Sequence, residues 1–128
     1  MKLLLDTHVL LWFAAGDARL SPAARAAIAA PANSVIFSVA SLLEIAIKRR
    51  VRKLSVDPNL LARAATAEGM TLLPVQAAHV AALDRLPMHD AHRAPFDHML
   101  LAQAMVEEAI MVTADVHMAG YGVTLLAG

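Results

Sequence analysis

A short β-prone apolar run followed by a longer segment with helix caps, repeated along the chain, is the feature that most narrows what this sequence can become. Lys2-Leu3-Leu4-Leu5-Asp6 is bounded like a buried strand, with the charge at its C-terminal end. His8 to Ala15 reads as a short helix stopped at Gly16-Asp17. Ser21-Pro22 places a cap and a first-turn proline before a helix through Ala30, which Pro31 closes. Ser34 to Ser38 is β-branched and aromatic, a second strand. Ser41-Leu42-Leu43-Glu44 has capping-box spacing and precedes a helix through about Arg50. Asp57-Pro58 opens another helix that ends near Gly69, Thr71 to Pro74 is a third strand, and Gln76 to Leu83 is a short helix. Arg85 to Pro95 reads as a loop, and Asp97 starts an apolar helix to about Ala109. Ile110 to Thr113 is a fourth strand, and Val123 to Leu126 adds a short fifth. Such alternation predicts an α/β fold, a parallel sheet of four to five strands covered by helices on both faces.

The 128 residues suit one domain, residues 1–128. A hydrophobic content of 59% and a mean hydropathy of +0.56 raise the question of a membrane protein. Twenty-eight alanines account for the excess, and no apolar run approaches the ~18–20 residues of a bilayer helix, so no membrane association is expected. Alanine-rich helices packed closely on a core are expected instead. Eleven Lys and Arg balance eleven Asp and Glu, so any nucleic-acid affinity must come from local charge segregation. The absence of cysteine excludes thiol catalysis, disulfides and cysteine-based zinc sites, and the start of the chain lacks a signal peptide's apolar core. A cytoplasmic protein is expected. The apolar fraction also exceeds what so small a domain buries alone, which predicts a homodimer using exposed hydrophobics of the early helices.

The acids fall on this sketch in a pattern. Asp6 ends the first strand, Asp115 lies just past the fourth, Asp97 is in the first turn of one helix, and Glu44 is in the first turn or so of another. In an open parallel sheet, the C-terminal strand edges and adjoining helix N-termini form one ligand-binding crevice. Taken singly, Asp6 could cap the helix after it, Glu44 could complete its capping box, and Asp97 could complement a helix dipole. The recurrence of all four at one edge carries the argument. Four such carboxylates repel one another without a counter-ion, and all-oxygen ligation suits Mg²⁺ or Mn²⁺.

Thr7, Ser38, Ser41 and Thr113 accompany the acids, and Ser38 and Thr113 are placed to support a carboxylate at a metal site. Lys48, Arg49, Arg50, Arg52 and Lys53 follow the Glu44 segment and could grip phosphates at the rim of the site, or simply complement a helix end. His89, His92 and His98 match no known ligand spacing, and substrate contact or surface placement suits them better. His8, two residues from Asp6, is either beside the site or packed, and Trp12 with its neighbours is core or dimer contact.

At this point the residues resemble a known family. Leu4-Leu5-Asp6-Thr7-His8-Val9-Leu10-Leu11-Trp12 with Gly16-Asp17, Ser38-Val39-Ala40-Ser41 leading to Glu44-Ile45-Ala46-Ile47-Lys48, and Pro95-Phe96-Asp97 look like a PIN domain. Leu101-Ala102-Gln103-Ala104, Val112-Thr113-Ala114-Asp115 and Tyr121-Gly122-Val123 continue the pattern in order over essentially the whole chain. The set is most similar to VapC-type toxins of bacterial toxin–antitoxin pairs. The resemblance implies an α/β/α sandwich and an endoribonuclease dependent on Mg²⁺ or Mn²⁺, neutralised by a cognate antitoxin. It also implies a site of Asp6, Glu44, Asp97 and Asp115 with Thr113 as the family's hydroxyl, the same acids that the strand edges give. Leu43 stands where the family often has an aromatic residue, Arg52 lies where it often has glycine, and Ala94 and His98 replace a common Asp and Arg, with Asp90 nearby as a displaced carboxylate.

Phosphodiester hydrolysis requires a nucleophilic water, in-line geometry and neutralised charge, all of which metal ions on carboxylates supply. No Gly-x-Ser-x-Gly elbow or phosphate-cradling glycine loop offers another route, so attack by metal-activated water without a covalent intermediate is expected. Lys48, Arg49, Arg50 and His98 are the expected RNA contacts. The rivals are a non-toxin PIN nuclease of RNA processing, a receiver-like signalling module and a catalytically silent interaction domain. A receiver needs a lysine at a late strand end, and no lysine follows Lys53. An antitoxin is expected to neutralise the acidic pocket with an inserted cation.

Overall fold

In the computed structural model, which describes residues 1–89 and 94–128, five strands and six helices alternate. They are β1 (Lys2–Leu5), α1 (Thr7–Ala15), α2 (Pro22–Ala29), β2 (Ser34–Ser38), α3 (Val39–Arg50), α4 (Pro58–Ala67), β3 (Thr71–Leu73), α5 (Ala77–Asp84), α6 (Pro95–Glu107), β4 (Ile110–Thr113) and β5 (Leu125–Ala127). Among the described residues no helix is long and apolar enough to cross a membrane.

Every strand pairing is parallel, in the order β3-β2-β1-β4-β5. The chain therefore winds outward from β1 in one direction, returns to it, and winds out the other way. The crevice beside the C-terminal end of β1 is the place where the order reverses, the location at which open parallel sheets bind ligands. Leucines alternate across β1 as the two-residue period of a strand demands. Leu3 and Leu5 join Val35, Phe37 and Val112 in a core roofed by Val9, Leu10, Ile28, Ile45 and Leu61. Leu4, Ile36 and Met111 face the other way, into a core with Leu100, Leu101, Ala104 and Met118. Two helical layers thus sandwich one sheet, as expected.

Local chemistry explains most boundaries. Ser21 and Asp57 cap α2 and α4 through their side chains, each followed by proline in the first turn. Gly16 ends α1 at φ 64°, the left-handed conformation that favours glycine. Arg52 takes the same conformation, φ 62°, at the place where the resemblance leads one to expect glycine.

Several boundaries differ from the sequence reading. The expected capping box at Ser41 is not the start of a helix. Ser38, the last residue of β2, caps α3 itself by accepting the Ala40 N–H at 2.9 Å, so the helix starts without an intervening loop. Glu44 consequently lies in the second turn. Helix α6 starts at Pro95, two residues before Asp97, and β5 is displaced to Leu125–Ala127. Of the early-helix apolar residues expected in core or dimer contact, Leu10 is fully buried, and Leu11, Trp12 and Phe13 are half-buried against the core. Large exposed apolar side chains are spread over several helices, at Leu43 and Ile47 on α3, Leu60 on α4, Val80 on α5, and Met105 and Val106 on α6.

A buried polar line crosses the second layer. Ser38 Oγ donates to Gln103 Oε1, and the Gln103 amide nitrogen lies 3.3 Å from both Pro74 O and His79 Nδ1. That His79 nitrogen accepts the Gln76 N–H at 3.0 Å, so the proton resides on Nε2, which donates to Glu107 Oε2 at 3.0 Å. The His79 bond is the main reason that the Glu107 carboxyl is held below its usual range, with Lys2 assisting. Gln103 is fully buried. Its replacement by Leu leaves Ser38 Oγ and Pro74 O short of a partner, and is expected to cost about 1–3 kcal/mol in urea denaturation.

Candidate active site

Asp6 occupies the position of a helix cap, between β1 and α1, yet its side chain makes no capping bond. Its backbone N–H continues the ladder to Val112 O at 3.0 Å, which fixes the residue against β4. The carboxylate turns across the crevice and accepts the Thr113 hydroxyl at 2.7 Å. Thr113 Oγ1 in turn accepts the Asp115 N–H at 3.0 Å, so one hydroxyl links the ends of β1 and β4 to the residue beyond them.

Thr7 and Ser41 join the next pair of elements. Thr7 Oγ1 donates to Ser41 Oγ at 2.9 Å, both side chains being buried, and this ties the first turn of α1 to the first turn of α3. Glu44 follows Ser41 by one turn. It is only 8% exposed, with Oε2 accepting Lys48 Nζ at 2.7 Å. Its other oxygen, Oε1, is the one buried side-chain polar atom without a hydrogen-bond partner among the described residues. Neither Asp6 nor Glu44 thus has the capping role that would have explained it locally. Asp115 does keep such a role, accepting the His117 N–H at 2.9 Å with the His117 ring 3.1 Å away.

Asp97 stands in the first turn of α6. Burial pushes the Asp6 carboxyl above its ordinary value of 3.8, the Thr113 bond opposes the rise, and the Asp97 charge adds to it. His8, exposed at the mouth, and the Thr7 N–H pull the other way. The carboxylates of Asp6 and Asp97 are therefore electrostatic neighbours. Asp6, His8, Trp12, Ala114 and Asp115 line a cleft of about 270 Å³ at this edge.

Among the described residues, no three His, Asp or Glu side chains are drawn close enough to hold one metal ion. Three of the acids already have partners: Asp6 accepts from Thr113, Glu44 from Lys48, and Asp115 stands against His117. The donor set still fits a hard cation, because it is all oxygen and includes the orphaned, buried Glu44 Oε1.

Other sequence assignments fare differently. Ser38 is engaged by Gln103 and the Ala40 N–H. His98, expected at RNA, is 6% exposed and packs inward with its Nε2 3.3 Å from the Tyr121 hydroxyl, because it lies on the face of α6 turned to the core. Lys48 is occupied by Glu44, and Arg49 stands 3.5 Å from Asp57. Arg50 is exposed. Asp90 and His92 lie outside the described residues. Sequence reasoning missed the Thr7–Ser41 link and the approach of His117 to Asp115, because neither spacing is a motif.

The family model for the PIN domain matches residues 3–123. A chain in the structure of VapBC2 from Rickettsia felis bound to a DNA fragment from their promoter superposes with a TM-score of 0.71 at 14% identity, covering 98% of each chain. FitAcB from Neisseria gonorrhoeae gives 0.58 at 15% identity, over 98% of this chain and 96% of that one. A domain of a functionally unknown protein from Methanocaldococcus jannaschii gives 0.60 at 15%, over 98% and 89%. No curated protein sequence matches. At these identities the likeness concerns the fold.

A carboxyl whose folded pKa stands above its unfolded one favours folding below the unfolded pKa and loses that contribution as pH rises through the folded value. Asp6 is such a group, so its ionised form opposes folding at neutral pH. Asp6→Asn, which preserves an acceptor for Thr113, is expected to raise Tm at pH 7. It should also flatten the fall in stability as pH climbs out of the ordinary carboxylate range, measured by thermal melts from about pH 4 to 7.

Proposed function

The chain belongs to the PIN domain family, and on that footing we propose that it is a divalent-metal-dependent endoribonuclease acting as the toxin of a toxin–antitoxin pair. The observation that carries this reading is the pair of buried acids that cap no helix. Asp6 is turned into the switch-point crevice by Thr113, and Glu44 keeps one buried oxygen unpartnered. Likeness in fold to chains of VapBC2 and FitAcB supports the toxin assignment.

Asp6, Glu44, Asp97 and Asp115 are the residues proposed to hold Mg²⁺ or Mn²⁺. When bound, the cation polarises the phosphodiester and lowers the pKa of a water. The chain's own groups do the rest. Thr113 fixes the rotamer of Asp6 through one carboxylate oxygen, the supporting role that metal sites require. The Thr7–Ser41 bond holds the α1 and α3 starts at a constant separation, and so holds Asp6 relative to Glu44. Exposed Arg50, with Arg52 and Lys53 beyond it, offers phosphate contacts where α3 ends, and Arg49 adds another if Asp57 releases it. The hydroxyls of Thr7 and Thr113 are already donated to Ser41 and Asp6, and hydrolysis by water without a covalent intermediate is the proposed course.

The proposed partners follow from the same surface. A cognate antitoxin neutralises the acidic edge with an inserted arginine, since a guanidinium pairs with carboxylates as a cation does. A second copy of the chain covers the apolar side chains of α3 and α4, and static light scattering is expected to give about twice the 13.6 kDa chain mass. A monomer at micromolar concentration would remove the dimer from this account.

Cleavage of RNA is expected to require Mg²⁺ or Mn²⁺ and to stop in EDTA. Asp6→Asn, which retains shape but not charge, is expected to lower the rate at least ~10²-fold, because placing the metal is most of the catalysis. A variant that cuts RNA at the wild-type rate removes Asp6 from the site, and full activity in chelator removes the mechanism. Co-expression with a small protein encoded beside it separates the toxin from a maturation nuclease: growth arrest relieved by that protein is the toxin's outcome.

A further inference from the structure

The acids of the edge differ in what already occupies them. Thr113 offers Asp6 a neutral hydroxyl, and His117 stands on an exposed part of Asp115. Glu44 alone among these three is met by an ammonium, Lys48 Nζ at 2.7 Å. The partners are four residues apart on α3, so the lysine reaches back one turn along its own helix. The Glu44 side chain is nearly buried while that of Lys48 is 36% exposed, so the lysine has solvent into which it can withdraw. The ammonium takes one oxygen, and the other, Oε1, remains buried with no partner.

We propose that Lys48 is the site's internal counter-ion, competing with the divalent cation for Glu44 and thereby setting metal affinity. The inference rests on the metal reading of the preceding section. A dication approaching Glu44 either displaces the ammonium from Oε2 or settles at Oε1 beside it. In both cases a unit positive charge at contact distance from the carboxylate works against its entry. With Lys48 on Oε2, one of the carboxylates proposed to take the cation already has a positive partner. The plainer alternative is an ordinary helical Glu–Lys pair four residues apart, which adds a little helix stability and has no bearing on metal.

Manganese titration by isothermal calorimetry separates the two. The metal-free wild type is compared with Lys48→Met and Lys48→Arg, and each fold is checked by circular dichroism. Removing the charge is expected to tighten Mn²⁺ binding roughly tenfold or more, whereas Lys48→Arg, which retains it, stays near the wild type. In a Glu44→Gln background the Lys48→Met gain is expected to shrink towards nothing, which a general change in surface charge would not do. Lys48→Gln serves as a second neutral variant if Lys48→Met is unstable. Equal or weaker Mn²⁺ binding in the neutral variants overturns the proposal. Absence of Mn²⁺ binding in the wild type and every variant overturns the metal reading itself, and this one with it.

Discussion

The hydrogen bond from Thr113 to Asp6 is the contact on which the organisation of the edge depends. It spans β4 and β1, strands that meet only because the chain winds away from β1 and then returns to its other side. At that seam the backbone N–H of Asp6 still belongs to the ladder, while its side chain already belongs to the crevice. A carboxylate there is removed from water and pushed towards its neutral form, and a single donated hydroxyl limits the rise. Without the hydroxyl the acid would lose the contact that orients it and the strongest of the interactions favouring its ionised form, the Thr7 N–H and His8 being the others. The sheet supplies the place, and the threonine makes that place usable for charge chemistry.

Much of this was legible in the residues. Leu3, Leu4 and Leu5 fill both faces of a central strand, and a continuous apolar run closed by an acid is what such a strand looks like in sequence. Proline after Ser21 and after Asp57 marked two helix starts because both the cap and the fixed φ act locally. Glu44 and His98 were misread for the opposite reason. The Ser41 capping box fits the local pattern, but Ser38 at the end of the sheet captures the helix first, a decision made by strand register. His98 is polar in sequence and buried in the fold, because its partner Tyr121 is 23 residues away. Pairings of that separation leave no periodic trace.

The acid edge is one pole of the molecule, and a second polar line runs through the opposite layer. Ser38, Gln103, His79, Glu107 and Lys2 form a chain of donors and acceptors through otherwise apolar packing. Each member is satisfied, so the line adds specificity of packing at modest energetic cost. It also defines the register of α6 against β2, since Gln103 reaches only one serine. Alanines at positions 40, 102 and 104 are buried close to that line, and their small side chains allow the backbones to approach closely enough for it to form.

The seamless passage from β2 into α3 has a mechanical consequence. Ser38 closes a strand and caps a helix in the same residue, so there is no length of chain between sheet and helix to absorb a rotation. Helix α3 is in effect a beam clamped at the sheet, with Glu44 close to the clamp and the basic run at the far end, where Arg49 meets Asp57 at the start of α4. Tilting such a beam moves its tip far and its root hardly at all. Adjustments of the Glu44 carboxylate must therefore be made by side-chain torsions rather than by movement of the helix that carries it.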